Sequence, residues 1–496
     1  MMNFLFCALC RIVRIKLPSL SLVALFFTAI GFVSCDDGED FTKSASARLT
    51  FPSDTIVLDT ALSMVSTPTY SFTVHNRTNK GIRIVGVSLA DATGSGFRVN
   101  VDGTFINESY DYPIEVRSHD SIYVWVDMTP RFHDSDEPVL VSDKLVFTLE
   151  SGVVQQIVLN AYTQDVNTLE GLTVNADTCF SSRRPYFVKD TLRVANGVTL
   201  TLSSGVRMLF APKAEMIVDG TLVARGEQDG FVTFRGARMD YMFPNQPYDR
   251  IPGQWGGIRF SASSYGNEMS YCDVHSGTSG LRCDSSDLSR RKLTIENSVV
   301  HNMKGDCMTL VYSDVFAGNS QITNAMGNSV TLHGGKNHFV HCTIANFYPF
   351  TGGRGKALYI YNFLGGTPLP LDEALFENCI LSGWGTDEVG ILFLDEPSVA
   401  RNYRFSSCLI TSESSEDVQH YTGNVFESPA DDEIWGSKNF VSFDNNTLIY
   451  NFHLDTLSRA RDIADVAVTQ RYYPNDLDGN YRLSDGHPDA GCYEFK

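Results

Sequence analysis

Met269-Ser-Tyr-Cys272-Asp-Val274, Ile295-Glu-Asn-Ser298-Val-Val300, Phe339-Val-His-Cys342-Thr-Ile344, Phe376-Glu-Asn-Cys379-Ile-Leu381 and Phe405-Ser-Ser-Cys408-Leu-Ile410 fall into one register. Three residues before each Cys or Ser stands a large apolar side chain, and two after it an aliphatic one. A small residue framed this way, recurring between Met269 and Ile410, is what a stacked coil presents to its interior. Successive columns are 26, 44, 37 and 29 residues apart. One coil takes roughly 20 to 30 residues, so the two longer steps are expected to hold a weaker extra coil or an inserted loop. A propeller would need a steady period of about 40.

Upstream, Val198–Leu202, Val206–Phe210, Glu215–Val218, Thr221–Val223 and Phe231–Phe234 are short strands broken by Ser-Ser-Gly205 and Asp-Gly220. Strands this short cannot make a conventional sheet, but they can stack as rungs about 4.8 Å apart. This grammar begins near Leu172. From Arg48 to about Thr163 the pattern is instead period-two alternation between turns: Thr55–Leu58, Tyr70–His75, Ile82–Ser88, Ser121–Asp127, Lys144–Leu149 and Val153–Leu159. It predicts an antiparallel sandwich, without the Cys, Trp, Cys arrangement of antibody domains.

At 496 residues the chain exceeds what one core serves, in keeping with two domains. Its first 34 residues carry Arg11, Arg14 and Lys16 and then the apolar run Leu17 to Val33, ending Ser34-Cys35. This reads as a removable export segment rather than fold. Without it, the formal charge moves from −19 to −22. An acidic balance of that size repels phosphate backbones and excludes nucleic acid as a partner. Asp36-Asp37-Gly38-Glu39-Asp40 and a polar stretch to Ala47 form a solvated tether.

The leader resembles a lipoprotein signal, which implies lipidation at Cys35. The acidic run after it is similar to the tag on surface lipoproteins of Bacteroides-type bacteria, whose immunoglobulin-like domain precedes a β-helix and serves as a spacer. Val198 to Phe234, with Gln254-Trp-Gly-Gly-Ile258, resembles the opening coils of right-handed parallel β-helix proteins of the pectate-lyase-like superfamily. Asp478-Gly-Asn-Tyr-Arg482 and Pro488-Asp-Ala-Gly-Cys-Tyr-Glu494 resemble the closing motif of such lipoproteins. The expected chain is all-β: signal peptide 1–34, acidic tether 35–47, immunoglobulin-like β-sandwich 48–165, right-handed parallel β-helix 166–430, and closing coils or cap 431–496. The resemblance implies an outer-membrane lipid anchor at the cell surface, with a periplasm-facing anchor as the alternative. Contact with the membrane is expected through the lipid only.

Of the eleven cysteines, eight lie beyond Cys35. Cys272, Cys342, Cys379 and Cys408 share one repeat position and read as buried thiols. Cys179, Cys283, Cys307 and Cys492 could pair, with no partner deducible. His333, His338 and His341 match no compact zinc spacing and read as outward polar residues. No cofactor and no metal are expected. Asn475-Asp-Leu-Asp-Gly-Asn480 is oxygen-rich, which makes Asp476, Asp478 and Asn480 weak calcium candidates. It lacks the downstream Glu of a calcium loop, and a plain Asp-Gly turn is the expected reading.

Glycoside hydrolysis needs two facing carboxylates, and lyase chemistry needs calcium-binding acids with a base. Between Asn297 and Leu371 the only acids are Asp306 and Asp314. Arg250-Ile-Pro252 begins like a pectate lyase Arg-x-Pro motif, but Trp255 stands where its second arginine would fall. No catalytic residue is assigned, and an atypical polysaccharide lyase or glycoside hydrolase is the alternative function. The leading expectation comes from two aromatic loops. Arg238 to Pro252 carries Tyr241, Phe243 and Tyr248. Phe347 to Lys356 carries Tyr348, Phe350, Arg354 and Lys356, and Trp384 completes the candidate set. Exposed rings stack on sugars or grip proteins, and nearby cations orient anionic groups. The expected function is therefore a non-catalytic, lipid-anchored adhesin or binding protein for a glycan or a host or cell-surface protein. A structural envelope component is the further alternative. Trp255, opening a coil at a Trp-Gly-Gly turn, reads as structural.

Overall fold

The computed structural model describes residues 40–91, 93–106, 113–350, 353–413, 415, 417–430 and 432–496. Cys35, the leader and most of the tether lie outside the described residues.

Period-two alternation folds the first part into two five-stranded sheets packed face to face. In Ser121–Met128, Ile122, Val124, Val126 and Met128 are buried while Tyr123 and Trp125 face solvent. Beyond the six runs legible in the sequence, the sheets contain four further short strands: Leu49–Thr50, Phe97–Val101, Thr104–Phe105, and Ile114–Val116 at a sheet edge. One pairing departs from an all-antiparallel sandwich. Val154–Gln164 runs parallel to Thr55–Leu62, which carries the chain straight out of the sandwich toward the first coil. Leu62 and Val166 pack into the same core as Val174, Phe180 and Phe187 of the opening coils, so the sandwich is seated on the start of the solenoid.

From Asn167 the chain winds a right-handed parallel β-helix of three sheets, visited in fixed order. Sheet 1 has eleven strands, from Asn167–Leu169 to Val425–Glu427. Sheet 2 has nine, from Thr173–Val174 to Val389–Leu392. Sheet 3 has ten, from Thr178–Phe180 to Tyr421–Thr422. Every rung pairs in parallel with the next. The small-residue column is real: the registers stack Cys272, Ser298, Ser320, Cys342, Cys379 and Cys408 at the corner between sheets 3 and 1. Each residue before the column has a left-handed backbone: Tyr271, Asn297, Asn319, His341, Asn378 and Ser407 all have φ between 46° and 55°. That corner turns the chain through a single residue, and asparagine, which tolerates this region, fills half of the positions. The column is also a hydrogen-bond ladder, in which the amides of Cys272 and Ser298 donate to the hydroxyls of Ser298 and Ser320, and those of Cys342 and Cys379 to the sulfurs of Cys379 and Cys408.

The 44-residue step holds a whole coil, through Asp314–Gly318, Gln321–Ala325 and Val330–His333. The 37-residue step holds loop insertions, one of them the hairpin Phe363–Leu364 with Thr367–Pro368. All eight described cysteines are free thiols, Cys179 exposed and the rest buried. Any pairing of Cys179, Cys283, Cys307 or Cys492 is thereby corrected. The last three instead fill apolar space.

The C-terminal segment corrects the expectation of closing coils. It adds no rung. A helix, Val466–Tyr472, sits over the corner toward sheet 3, where Tyr472 meets Phe316 and His338, and a hairpin, Phe440–Asp444 with Ile449–Leu454, lies across the outer face of sheet 1. There Phe440, Phe452, Leu454 and Cys492 cover Ala345, Ile380 and Leu409, outward positions whose apolar side chains would otherwise face water. Arg482, fully buried, bonds Asn319 Oδ1 at 2.8 Å and the Gly491 carbonyl at 2.9 Å, tying this strap to the coil beneath. His341, expected to face outward, is wholly buried under the same strap.

Candidate functional site

The second aromatic loop and Trp384 belong to neighbouring coils and converge. Tyr348, Arg354, Lys356 and Trp384, with Pro349, Asp387, Glu388 and Asn445, line a cavity of about 680 Å³. Trp384 is a fixed platform: its indole N–H donates to the Phe347 carbonyl at 3.1 Å and the ring meets Phe347 edge-on at 5.2 Å. Even so, 41% of the residue is exposed. Phe350 is exposed and packs edge-on against Tyr348 at 5.7 Å, while Tyr348 itself is largely buried. Burial raises the Tyr348 phenol above its ordinary pKa, so it stays a neutral donor at neutral pH. Arg354 is not free for a ligand. It forms a two-pronged pair with buried Glu388, at 2.6 and 3.3 Å, and Glu388 also accepts from the amides of Ala357 and Gly385. That arrangement locks the cavity floor. Lys356, paired with Asp387 at 3.1 Å, is the cation on the rim.

The first aromatic loop behaves differently. Despite its prolines it contains a short antiparallel ladder, Tyr241–Phe243 with Gln246–Pro247, and then a 3₁₀ turn, Tyr248–Arg250. Tyr241 and Phe243 are exposed at its tip. Tyr248 is taken by Arg238, whose guanidinium lies 3.3 Å over its ring. Tyr241 lines a separate apolar cavity of about 620 Å³, between the sandwich and the first coils, so the two aromatic sets do not share one pocket. Trp255 is buried, stacks on Phe210 at 4.2 Å and donates to the His275 carbonyl.

What the loop delivers is Asp249, to a cluster that sequence reasoning missed. Asp273 and His275 project outward from Cys272–His275 in sheet 1, and the next rung places His301 directly beside His275. His275 Nδ1 lies 2.8 Å from Asp273 Oδ1, His275 Nε2 lies 2.9 Å from Asp249 Oδ1, and His301 Nε2 lies 3.2 Å from Asp273 Oδ1. Arg235 closes the group with a 2.7 Å contact to Asp249. Burial alone would depress the His275 pKa, but Asp273 and Asp249 outweigh it and lift it to about 9. Burial likewise opposes ionisation of Asp273, yet the two imidazoles hold its carboxyl far below the usual range. Asp273, His275 and His301 offer three donor atoms within 4.8 Å of one another. A signal was present: the two aligned rows ending Val274 and Val300 each continue with a histidine.

The other metal candidates are engaged elsewhere. His333 bonds the Phe363 carbonyl and His338 bonds Glu377. Asp476 accepts from the Asn480 and Glu494 amides, and Asp478 bonds His453, so the oxygens of this turn close it upon itself and upon the strap.

A family model described as a right-handed β-helix region matches residues 214–347. The comparison with curated proteins returns no match. Among solved structures the chain is similar to the ASH/PapD-like domain of human CEP192 (PapD-like domain 7), at 12% identity and a TM-score of 0.18, over 25% of this chain and 90% of that one. The family match lies wholly inside the stacked coils that carry the Asp–His cluster and reaches Phe347 at the edge of the aromatic cavity, and it identifies that body as a right-handed parallel β-helix.

Proposed function

We propose that this protein is a lipid-anchored binding protein of the cell surface. Acylated Cys35 holds it to the outer membrane, the sandwich is a spacer, and the β-helix presents a recognition pocket for a glycan or a surface protein. The observation that carries this reading is the cavity in which Tyr348, Lys356 and Trp384 meet, an aromatic platform with one rim cation and a locked polar floor. Its carboxylates are committed to ion pairs, which suits binding rather than turnover. A glycan array probed with the purified protein should give hits, and Trp384→Ala should weaken them roughly two- to tenfold, since one stacked ring contributes about 0.5 to 1.5 kcal/mol. Array binding that survives Trp384→Ala would show that this pocket is not the site. Cys35→Ala should move the protein from the membrane to the soluble fraction, and protease added to intact cells should digest the unaltered protein. Protection from protease would favour the periplasm-facing anchor. Among the described residues no helix is long and apolar enough to cross a membrane.

A second reading, a polysaccharide lyase or glycoside hydrolase, is favoured by a different observation: acids and bases from adjacent coils converge at Asp249, Asp273, His275 and His301. Release of reducing ends or unsaturated products from an array hit, lost in Asp273→Asn, would establish it.

A further inference from the structure

We propose that Asp273, His275 and His301 form a binding site for a divalent transition-metal ion of the zinc class. The case begins with register. Parallel stacking places equivalent outward positions one rung apart, so His275 and His301 stand side by side with ring centroids 4.9 Å apart, and Asp273 shares the strand of His275 two residues earlier. A tetrahedral zinc ion with ligands at about 2.0 to 2.2 Å needs donor atoms roughly 3.3 Å from one another. Asp273 Oδ1 stands 2.8 Å from His275 Nδ1 and 3.2 Å from His301 Nε2, and all three donors fall within 4.8 Å. Rotation of the two imidazoles about their side-chain bonds would bring the three donors around one ion.

The surroundings match a metal centre as well. A metal-bound imidazole usually donates its other N–H to a carboxylate, which fixes the ring and raises its basicity. His275 Nε2 already has Asp249 at 2.9 Å, and Arg235 holds that carboxylate at 2.7 Å. His275 itself is buried, with 6% of its side chain exposed, whereas Asp273 keeps 31% and His301 23%. The ligand set is thus anchored on one side and open to water on the other, which leaves a fourth position for solvent. Two imidazoles and one carboxylate suit zinc and its first-row neighbours, not calcium or magnesium, which prefer all-oxygen shells. On binding, the ion takes the place of the proton between His275 Nδ1 and Asp273 Oδ1, which passes to solvent, and His301 frees its Nε2 lone pair by carrying its ring proton on Nδ1 instead.

The test is equilibrium dialysis of the purified, chelator-stripped protein against Zn²⁺, with metal content read by elemental analysis, beside the visible spectrum of the Co²⁺ form. One ion per chain is expected, with affinity at least a hundredfold lower in His301→Ala and ten- to a hundredfold lower in Asp249→Asn. The metal-free variants should keep the circular dichroism of the unaltered protein. No ion bound, or equal affinity in His301→Ala, would overturn the site and leave a charged hydrogen-bond network. Should His301→Ala fail to fold, the unaltered protein decides. A Co²⁺ spectrum shifted and intensified relative to Co²⁺ in buffer supports the proposal, and one identical to it overturns the proposal.

Discussion

Replacing Phe376 by alanine is expected to cost about 3 to 5 kcal/mol of stability, read as a fall in the urea midpoint. Phe339, Phe376 and Phe405 occupy one interior position on three consecutive rungs of sheet 3, all fully buried. Strand spacing sets the ring spacing: centroids lie 5.0 Å apart between the first pair and 4.8 Å between the second, with planes within 15° of parallel. Tyr421 continues the stack at 5.3 Å. Phe376 lies within this column and has a ring on each face, so alanine would leave a void that neither neighbouring coil can close without breaking its own ladder. In a solenoid each coil contacts only its neighbours, so the damage should be local as well as large. Hydrogen exchange should accelerate in Leu371–Glu377 and Arg401–Ser406 before it does in the opening coils. Phe376→Leu, which restores most of the volume, should cost roughly 1 kcal/mol. A loss below 1 kcal/mol for the alanine variant would mean that these coils do not stack in this register.

That stack marks how far the sequence could be read. The column of Cys272, Cys342, Cys379 and Cys408 was legible because a β-helix repeats its interior one rung at a time, and a buried position tolerates few residue types. The coil between Ser298 and Cys342 was not legible as such, because Ala317 stands where its neighbours carry Ile295 and Phe339, and the large-apolar signal vanishes. The strap was misread for a related reason. Tyr450, Phe452 and Leu454 do alternate as a strand, but a two-stranded hairpin carries no sign of the surface it will cover, and Tyr493 lies outside any strand or helix. The clue lay in the partner surface, where Ile380 and Leu409 are outward positions that remain apolar and so require a cover. In the aromatic cavity, side-chain types were readable but their commitments were not: Arg354 had no visible partner until Glu388 was folded beneath it. The Asp–His cluster depends on Asp249, which arrives from a loop, and loop trajectories leave no periodic trace.

Lowering the pH below 6.5 is expected to loosen the strap through His341. The buried imidazole sits between the coil and the C-terminal segment, with Nδ1 3.3 Å from the Gly491 carbonyl and Nε2 2.9 Å from both Asn378 Nδ2 and Thr469 Oγ1. Thr469 gives its hydroxyl proton to the Asp465 carbonyl, so the neutral ring is satisfied by donating from Nδ1 and accepting the Asn378 amide at Nε2. A second proton would aim Nε2–H at that amide donor, and it would do so in a site that also holds fully buried Arg482. Burial first and Arg482 second hold the His341 pKa well below 6.5. A folded-state pKa below the unfolded value contributes stability that is fully present above pH 6.5. It is lost as the pH falls toward the folded value, at up to about 1.4 kcal/mol per pH unit. The measurement is hydrogen exchange of residues 465–493 at pH 7.5 and 5.0, corrected for intrinsic rates. Protection should drop at the lower pH while the interior rungs of sheet 3 hold. His341→Asn is the decisive comparison, because asparagine occupies the same left-handed corner at Asn297, Asn319 and Asn378. This variant keeps the turn and removes the titrating group, so its strap should be equally protected at both pH values. If the variant lost protection in acid as the unaltered protein does, the ring would not be the source of the pH sensitivity; Glu494 and Asp489 do not mimic it, because burial raises both carboxyls and their protonation in acid favours the folded strap.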